Sequence, residues 1–270
     1  MEGRPRPGQL VVIASGKGGV GKTNFALNLG IQLARRGART ILLDADFGHA
    51  DSDILLNITP QADLTCLLDP LRPLSAALTP GPEGLHLLCG ISGLRHEPAL
   101  CEADPAMFLP ALRRLRRACD VLLVDCAAGA RGAAASFALV CDRLLLVKTP
   151  EPTAITDSYA ALKLLCHAGF CARAAVVVNM VRSRGEGSDT ARRLQRVAWQ
   201  FLGLSVESWG NVPYDRRVTA AVRRRVPFVV RYPRCAASVA LEGLADRLFA
   251  PPPVGRETPG IWSRVASLFF

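Results

Sequence analysis

A glycine-rich segment near the start of the chain constrains its fold more than any other sequence feature. The pattern G-x-x-x-x-G-K-[ST] is matched by Gly16-Lys17-Gly18-Gly19-Val20-Gly21-Lys22-Thr23. The apolar run Leu10–Ala14 before it predicts a buried strand, and the pattern from about Lys22 to Arg36 after it predicts an amphipathic helix. An ordinary glycine-rich turn is the alternative, but the complete motif in this strand–loop–helix setting favours a phosphate-binding loop.

The chemistry of phosphate binding accounts for each part of this loop. Glycines allow successive backbone N–H groups to turn inward around phosphate oxygens, and the N-terminus of the following helix presents its partial positive charge to the same anion. Lys22 adds a full charge between the β- and γ-phosphates, and the Thr23 hydroxyl takes one Mg²⁺ position. The predicted nucleotide contacts in this region are Gly16, Lys17, Gly18, Gly19, Val20, Gly21, Lys22, Thr23 and Asn24.

Two further apolar runs end in carboxylates. Thr40–Leu43 is followed by Asp44 and Asp46, and Val121–Val124 is followed by Asp125. Ligands of parallel α/β sheets bind at the carboxyl ends of the strands, so these side chains are expected to face the nucleotide. Asp125 completes a Walker B pattern and is predicted to hold Mg²⁺ through water. Polar residues at strand ends also cap ordinary turns, which is the alternative.

The alternation of apolar runs with helical patterns predicts the fold class. The runs are continuously apolar, as expected for central strands of a parallel sheet that helices cover on both faces. They are Leu10–Ala14, Thr40–Leu43, Leu85–Leu88, Val121–Val124, Leu144–Val147 and Ala174–Val178, and helical patterns include Met107–Ala118, Ala154–His167 and Thr190–Phe201. The prediction is an α/β fold with a doubly wound, mostly parallel sheet and helices on both faces.

The chain divides into four predicted segments. Residues 1–9 are short, basic and proline-rich, and residues 10–249 form one predicted nucleotide-binding domain. Prolines and glycines make residues 250–260 a predicted linker, and residues 261–270 form a predicted amphipathic tail. The sequence contains neither a signal-peptide pattern nor an apolar run of membrane-spanning length, so we expect the protein to stay in the cytosol.

Nine cysteines and a net charge of +10 narrow the functional classes. The cysteines are scattered, odd in number and without a C-x-x-C pair, which favours reduced thiols and disfavours a metal-cluster carrier. The charge suggests an acidic partner, either nucleic acid or an anionic membrane. An arginine-rich coding background is the alternative, because the arginines are spread along the chain.

Lys17 refines the interpretation of the loop. A second lysine so close to Lys22 needs a large anion nearby. The stretch KGGVGKT resembles the deviant Walker A family of P-loop ATPases, which includes MinD, ParA and the nitrogenase iron protein. The resemblance implies ATP and Mg²⁺ as ligands, with Lys17, Lys22 and Asp46 as catalytic residues. Lys17 would reach across a dimer to the partner's nucleotide, Asp46 would orient the attacking water, and Asp44 would lie nearer the water shell of the metal.

The same resemblance implies which residues contact the base. Asn179 follows the Ala174–Val178 run and resembles the family's adenine-contacting asparagine. Pro213 and Asp215 belong to a stretch that resembles the loop closing over the base. An asparagine at a strand end also makes ordinary turns, which is the alternative.

Several stretches resemble the FlhG branch of this family, the MinD-like ATPases that set flagellar number and position. They include GKGGVGKTN from Gly16, DADFGHADSD from Asp44 and VPYDRRVTAAVRRRVPF from Val212. The resemblance implies an ATP-dependent homodimer on the cytoplasmic face of the inner membrane, slow ATP hydrolysis, and flagellar partners, namely the FlhF GTPase, C-ring components and a flagellar transcription regulator. Two features depart from the pattern: residues 1–9 hold no DQAxxLR-like segment for stimulating FlhF, and Asp51 stands where relatives usually have asparagine.

The tail suits a membrane surface. Placed on a helix at about 100° per residue, its polar residues cluster on one side. The predicted membrane contacts are Ile261, Trp262, Val265, Leu268, Phe269 and Phe270. The tail resembles the C-terminal membrane-targeting helix of MinD-type proteins, and a tail folded back onto the domain is the alternative. One such short segment binds weakly, whereas two held together in a dimer bind far better through effective concentration.

A second functional hypothesis comes from the nucleic-acid class. A ParA-like partition ATPase would bind DNA without sequence preference through a basic surface. The residues predicted for that surface are Arg216, Arg217, Arg223, Arg224, Arg225, Arg231 and Arg234. Salt-sensitive DNA binding that survives removal of residues 261–270 would favour this hypothesis over the membrane switch.

Overall fold

The computed structural model describes residues 7–46, 51–62, 66, 69, 71–90, 109–129 and 132–249. The predicted linker 250–260, the predicted membrane tail 261–270 and most of the basic segment 1–9 lie outside the described residues. Met107 and Phe108, the predicted start of a helix, also lie outside them.

One eight-stranded sheet organises the domain. Its strands are β1 (Gln9–Ala14), β2 (Thr40–Ala45), β3 (Thr79–Pro80), β4 (His86–Leu88), β5 (Val121–Cys126), β6 (Arg143–Lys148), β7 (Arg173–Val181) and β8 (Val206–Pro213). Their order across the sheet is β3-β4-β2-β5-β1-β6-β7-β8, and every pair is parallel except β3 with β4. The predicted doubly wound, mostly parallel sheet is confirmed.

Helices cover both faces of this sheet. They are α1 (Lys22–Arg35), α2 (Ser52–Leu56), α3 (Leu109–Ala118), α4 (Ala133–Val140), α5 (Pro152–His167), α6 (Arg184–Leu202), α7 (Arg216–Arg223), α8 (Phe228–Arg231) and α9 (Ala236–Phe249). Buried side chains of α3 to α6 join one hydrophobic cluster, and those of α1, α2 and α7 to α9 join a second cluster. The sheet therefore lies between two helical layers.

The continuously apolar strands follow from this three-layer arrangement. Leu10 and Val12 pack into the first cluster, whereas Val11 and Ile13 pack into the second, and all four are 0% exposed. Successive side chains of a strand point to opposite faces, so a strand covered on both sides needs apolar residues at every position. Each such side chain stabilises the fold by about 1.5–3 kcal/mol.

Strand β8 is absent from the sequence-based prediction. In its sequence, VESWGNVP, only Val206, Trp209 and Val212 are buried, and β8 is an edge strand. Only continuous apolar runs were predicted to be strands, so β8 was not predicted. The strand near Leu85 begins one residue later than predicted, at His86, and the strand predicted at Ala174–Val178 extends over Arg173–Val181.

Helix α6 begins earlier than predicted, at Arg184 rather than Thr190. Ser183 caps it, its hydroxyl accepting a hydrogen bond from the Glu186 N–H at 3.2 Å. Gly187 weakens the helical pattern in the sequence but lies close to β8, since a Cβ there would lie 2.3 Å from Oδ1 of Asn211 and the Asn211 side chain would have to move. The close approach of α6 to β8 explains why a glycine, which weakens the predicted helical pattern, stands near the start of this helix.

Lys148 is a buried cation at the end of β6. The residue is only 1% exposed, and its Nζ has no hydrogen-bond partner among the described residues. Burial alone lowers the pKa of the Lys148 ammonium to about 8. The sequence showed a lysine at a strand end but gave no sign that it would be enclosed.

Within the described ranges, no helix combines the length and the apolar character needed to cross a bilayer. None of the eight cysteines in those ranges forms a disulfide, and five of them are buried: Cys89, Cys119, Cys126, Cys141 and Cys235. Reduced, mostly buried thiols agree with the scattered cysteines of the sequence.

Candidate functional site

The carboxyl ends of three neighbouring strands bring the predicted site residues together. Strand β5 lies between β1 and β2, with Asp125 opposite Ile13 on one side and opposite Asp44 on the other. The segment after β1 stays at this edge, because the carbonyl of Ser15 accepts a hydrogen bond from the Gly129 N–H at 2.8 Å. Residues separated by more than a hundred positions in sequence therefore share one edge of the sheet.

Two glycines of the loop have backbone conformations that other residues rarely adopt. The φ angles of Gly19 and Gly21 are 76° and 80°, in the left-handed region. Gly21 is also confined, since an added Cβ would lie 2.8 Å from Nδ2 of Asn179, whereas the space around Gly18 and Gly19 is open. Open glycines at the centre of the loop leave room for phosphate oxygens to reach the backbone.

Gly16 has a different structural role. A Cβ at this position would lie 2.3 Å from the carbonyl carbon of Asp157 in α5 and 2.5 Å from its oxygen. The first glycine of the motif is therefore required by the close passage of α5 over the loop. The sequence motif alone assigned this residue to phosphate binding.

Lys22 and Asp125 form a buried ion pair beneath the loop. Nζ of Lys22 lies 2.6 Å from Oδ1 of Asp125, with side chains 8% and 0% exposed. Burial raises the pKa of the Asp125 carboxyl, while the ammonium of Lys22 and the hydroxyl of Thr23 act to lower that pKa. The pair positions the ammonium at the floor of the phosphate loop.

The residues predicted to hold Mg²⁺ meet at this pair. Oδ2 of Asp125 is buried and has no hydrogen-bond partner among the described residues. The Thr23 hydroxyl is close enough to influence the pKa of the same carboxyl. Mg²⁺ prefers such oxygen ligands and is usually held by one or two of them together with waters and substrate phosphates. Thr23 and Asp125 therefore fit the metal, which would neutralise phosphate charge when bound.

Asp44 is held mainly by backbone groups. Its Oδ1 accepts a hydrogen bond from the Asp46 N–H at 3.1 Å, and its Oδ2 accepts one from the Ser52 N–H at 3.2 Å. Burial, followed by the nearby Asp125 carboxylate, raises the pKa of Asp44 to about 7. Asp44 therefore ties β2 to the start of α2. Any contact with the water shell of a metal would be additional to these two bonds.

Asp46 lies at the open side of the site. It is partly exposed, and its charge acts on Asp125 by raising the pKa of that carboxyl. A partly exposed carboxylate beside the buried pair of Lys22 and Asp125 is well placed to hold a water molecule near a terminal phosphate.

We expect Asp46→Ala to bind ATP normally but to hydrolyse it at least about a hundredfold more slowly, because an oriented carboxylate contributes about that much. Phosphate release under single-turnover conditions measures the rate, and calorimetry measures the affinity. Asp189→Ala, at an exposed position on α6, is the matched control. Hydrolysis by Asp46→Ala at the control rate would contradict this role.

A cleft beside the loop brings the predicted base-binding residues together. The cleft is open to solvent and its lining is largely apolar, as is typical of small-molecule sites. Its lining includes the predicted Gly21, Asn24, Asn179, Pro213 and Asp215, together with Phe25, Met180, Tyr214, Val218, Thr219, Phe228 and Leu241. Apart from the Pro213–Asp215 stretch, the apolar part of the lining was missed in the sequence, because it comes from α1, β7, β8, α7, α8 and α9, which meet only in the fold.

Asn179 connects β7 to the loop. Its Nδ2 donates to the carbonyl of Val20 at 2.8 Å, and its Oδ1 accepts from the Met180 N–H at 2.9 Å. Each of these atoms keeps capacity for one further hydrogen bond, which is what an adenine edge needs. The structure thus places Asn179 between the phosphate loop and the cleft.

Asp215 contributes to the cleft through the backbone that it fixes. It caps α7 by accepting from the Arg217 N–H at 2.9 Å, and the Arg217 side chain donates to both of its oxygens at 2.9 Å. The hydrogen bond from Arg217 is the main reason that the pKa of Asp215 is lowered. This network holds Pro213 and Tyr214 in their positions on the wall of the cleft.

Lys17 forms an exposed ion pair outside the buried pair of Lys22 and Asp125. Its Nζ lies 2.8 Å from Oε2 of Glu151, with side chains 45% and 57% exposed. The hydrogen bond to Glu151 raises the pKa of the Lys17 ammonium. Glu151 is at the N-cap of α5, and sequence reasoning missed it because no local pattern connects it to the loop.

The fold and this edge of the sheet together define a class of protein. A strand, a glycine loop and a helix surround a buried lysine–aspartate pair, and an open cleft adjoins them. One carboxylate oxygen of the pair has no hydrogen-bond partner among the described residues. This arrangement is that of a P-loop nucleotide-binding protein with a doubly wound sheet.

Comparisons with other proteins identify the family. Residues 11–228 match the CobQ/CobB/MinD/ParA nucleotide binding domain, and the chain belongs to that family. It is similar to the antiactivator FleN of Pseudomonas aeruginosa, with 36% identity over 91% of this chain and 88% of FleN. It is also similar to the flagellum site-determining protein YlxH of Helicobacter pylori, with 30% identity over 80% of this chain and 74% of YlxH.

A solved structure supports the fold. The septum site-determining protein MinD of Pyrococcus horikoshii, complexed with Mg-ADP, has a TM-score of 0.74 with 24% identity, over 93% of this chain and 99% of that one. Because the chain belongs to the MinD/ParA family and has its phosphate loop, it is an ATPase of that type, which uses ATP and Mg²⁺. The predicted resemblance to this family is confirmed.

Proposed function

We propose that this ATPase is a switch that regulates flagellar number or placement. ATP favours a dimer, the dimer favours the cytoplasmic face of the plasma membrane, and slow hydrolysis reverses both. The observation that carries the proposal is the outward position of Lys17 on the phosphate loop, 45% exposed beside Glu151. The similarity to a flagellum site-determining protein, and the FlhG-like stretches in the sequence, support the cellular role.

The geometry of Lys17 favours dimerisation on ATP. Its ion pair with Glu151 is exposed and therefore weak. A nucleotide phosphate of a second chain offers Lys17 more negative charge than a single carboxylate does. Lys17 can exchange one partner for the other by side-chain rotation alone, so dimerisation does not require the fold to open.

Membrane association depends on the tail 261–270. Its large apolar side chains and the linker before it suit an interfacial helix, and two tails in one dimer bind together. Flagellar partners of the classes predicted from the sequence, including the FlhF GTPase, C-ring components and a transcription regulator, would then be recruited at the membrane.

We expect Lys17→Ala to remain monomeric with ATP while retaining most of its ATP affinity, because Lys22 still binds the phosphates in the same chain. Light scattering after gel filtration, with ATP and with ADP, measures the dimer. Glu151→Gln is the informative counterpart, since it frees Lys17 and should leave ATP-dependent dimerisation intact. An ATP-dependent dimer of Lys17→Ala as stable as the wild type would contradict the proposal.

We expect removal of residues 261–270 to abolish co-sedimentation with liposomes while ATP hydrolysis in solution persists. The full chain should co-sediment with ATP and much less with ADP, because only the dimer presents two tails. Equal co-sedimentation by the shortened chain would show that the tail is not the membrane anchor.

Exposed arginines favour DNA binding as the second candidate function. Seven arginines lie at exposed positions on α7, on α8 and in the adjoining loops: Arg216, Arg217, Arg223, Arg224, Arg225, Arg231 and Arg234. Of these seven arginines, only Arg217 forms an ion pair with another described residue. Filter binding of duplex DNA over a series of salt concentrations, with and without residues 261–270, separates this function from the membrane switch.

A further inference from the structure

Met180 has a backbone conformation that is unusual for its place in the fold. Its φ angle is 59°, in the left-handed region that residues with a Cβ rarely adopt. The described ranges contain three other non-glycine residues with positive φ, and each lies beside a helix end or in a short 3₁₀ helix: Asn57, Glu83 and Arg225. Met180 instead lies within strand β7. Helix termination therefore does not explain its conformation.

A β-bulge in β7 produces this conformation. Asn179 of β7 is paired in register with Val212 of β8. The next pair is Val181 with Pro213, so Met180 is an extra residue that has no partner in the register. The Met180 N–H donates instead to Oδ1 of Asn179 at 2.9 Å. The bulge is therefore held by regular pairing on both sides and by the side chain of the preceding residue.

The bulge directs two successive side chains to the same cleft. Side chains of consecutive residues in a regular strand point to opposite faces of the sheet. Asn179 and Met180 nevertheless both line the cleft beside the phosphate loop. Cε of Met180 also lies close to that loop, since a Cβ added to Gly21 would be 3.2 Å from it. The unusual backbone at Met180 therefore places a thioether side chain beside the nucleotide site.

The Met180 side chain is suited to the face of a purine ring. Met180 is 38% exposed, so a ligand in the cleft would remove apolar surface from water. Methionine sulfur makes favourable contacts with aromatic rings, and its unbranched chain adapts to their shape. The neighbouring Asn179 keeps hydrogen-bonding capacity for the edge of a base. One residue can therefore bind the edge of the ring while the next contacts its face.

We infer that Met180 contacts the face of the adenine ring of bound ATP, and that β7 keeps a strained residue at this position because the strain aims the side chain at the base. Backbone strain persists only where the surrounding structure enforces it, and it is concentrated at ligand sites. The inference concerns ATP binding by one chain, so it is independent of the proposed dimer and membrane switch. It adds Met180 to the base contacts predicted from the sequence.

Calorimetric titration of the full chain tests the contact with the base. Met180→Ala should bind ATP with Mg²⁺ about tenfold more weakly, because it removes the thioether and its apolar surface. Its affinity for inorganic tripolyphosphate should be unchanged, since that ligand has no base. Met180→Leu keeps most of the apolar surface and should retain most of the ATP affinity. Leu164→Ala is the matched control, because Leu164 is 47% exposed on α5 and is not part of the cleft lining.

Thermal unfolding tests the strain. Met180→Gly should unfold at a higher temperature than Met180→Ala, the reverse of the usual order, because only alanine keeps a Cβ in the left-handed region. A glycine variant less stable than the alanine variant would overturn the strain. ATP affinity of Met180→Ala equal to that of Leu164→Ala would overturn the base contact. A parallel loss of tripolyphosphate affinity would overturn it as well, since Met180 would then act on the phosphate loop through Gly21.

Discussion

Replacing Lys22 with alanine lowers ATP affinity about a hundredfold, because a hydrogen bond from a charged donor contributes about 1.5–3 kcal/mol. In the present structure the Lys22 ammonium is 2.6 Å from Asp125 at the floor of the phosphate loop. It is therefore already placed for the nucleotide and loses little freedom on binding. Calorimetric titration with ATP and Mg²⁺ measures the change.

The same substitution also destabilises the protein, which must be separated from the loss of affinity. Removing the ammonium leaves the 0% exposed side chain of Asp125 as an uncompensated buried charge, which costs about 3–5 kcal/mol. Lys22→Met/Asp125→Asn removes both charges and should recover much of that stability without recovering ATP binding. Lys163→Ala, at an exposed position on α5, is the control. ATP affinity of Lys22→Ala equal to that of this control would contradict the assigned role.

Replacing Lys148 with methionine stabilises the protein by about 3 kcal/mol at neutral pH. The burial that lowers the pKa of Lys148 from 10.5 to about 8 disfavours the charged form in the folded state. Methionine has a similar length and no charge, so it fills the same space without this cost. Urea unfolding of the wild type, Lys148→Met and the exposed control Lys163→Met measures the difference.

The stabilisation by Lys148→Met should depend on pH in a defined direction. Below the folded pKa of about 8 the lysine is charged in both states, so the full cost is present. As pH rises from there to the ordinary value of 10.5, the folded protein releases its proton first and the cost disappears. Wild-type stability should therefore gain on that of Lys148→Met across this interval. A loss of stability in Lys148→Met at neutral pH would mean that the ammonium has a stabilising partner.

Local patterns predicted much of the fold. Continuous apolar runs located β1, β2, β5, β6 and β7, because strands buried on both faces leave no polar position in the sequence. The edge strand β8 and the first turn of α6 were missed. The former has no continuous apolar run, and the latter contains Gly185 and Gly187. Both exceptions arise where a neighbouring element, rather than local periodicity, determines which residue is tolerated.

The residues of the candidate site likewise fall into two groups: those that local sequence patterns predict and those that only the fold brings together. The phosphate loop and the strand-end carboxylates carry local signals, since their chemistry demands particular residue types at fixed spacing. Glu151 beside Lys17 and the apolar lining of the cleft carry no such signal. These contacts join residues that are distant in the chain, and only the packing of helices against the sheet brings them together.

By itself the sequence determined the class of this protein: a glycine loop with Lys22 and Thr23, between a buried strand and a helix, and carboxylates where two other strands end. Tertiary structure alone decided that Gly16 accommodates α5, that Lys148 is enclosed with no hydrogen-bond partner among the described residues, and that Arg143 and Arg247 lie over the Trp209 ring. The physical reason is that the cost of burying a charge and the space available to a Cβ depend on atoms from distant segments.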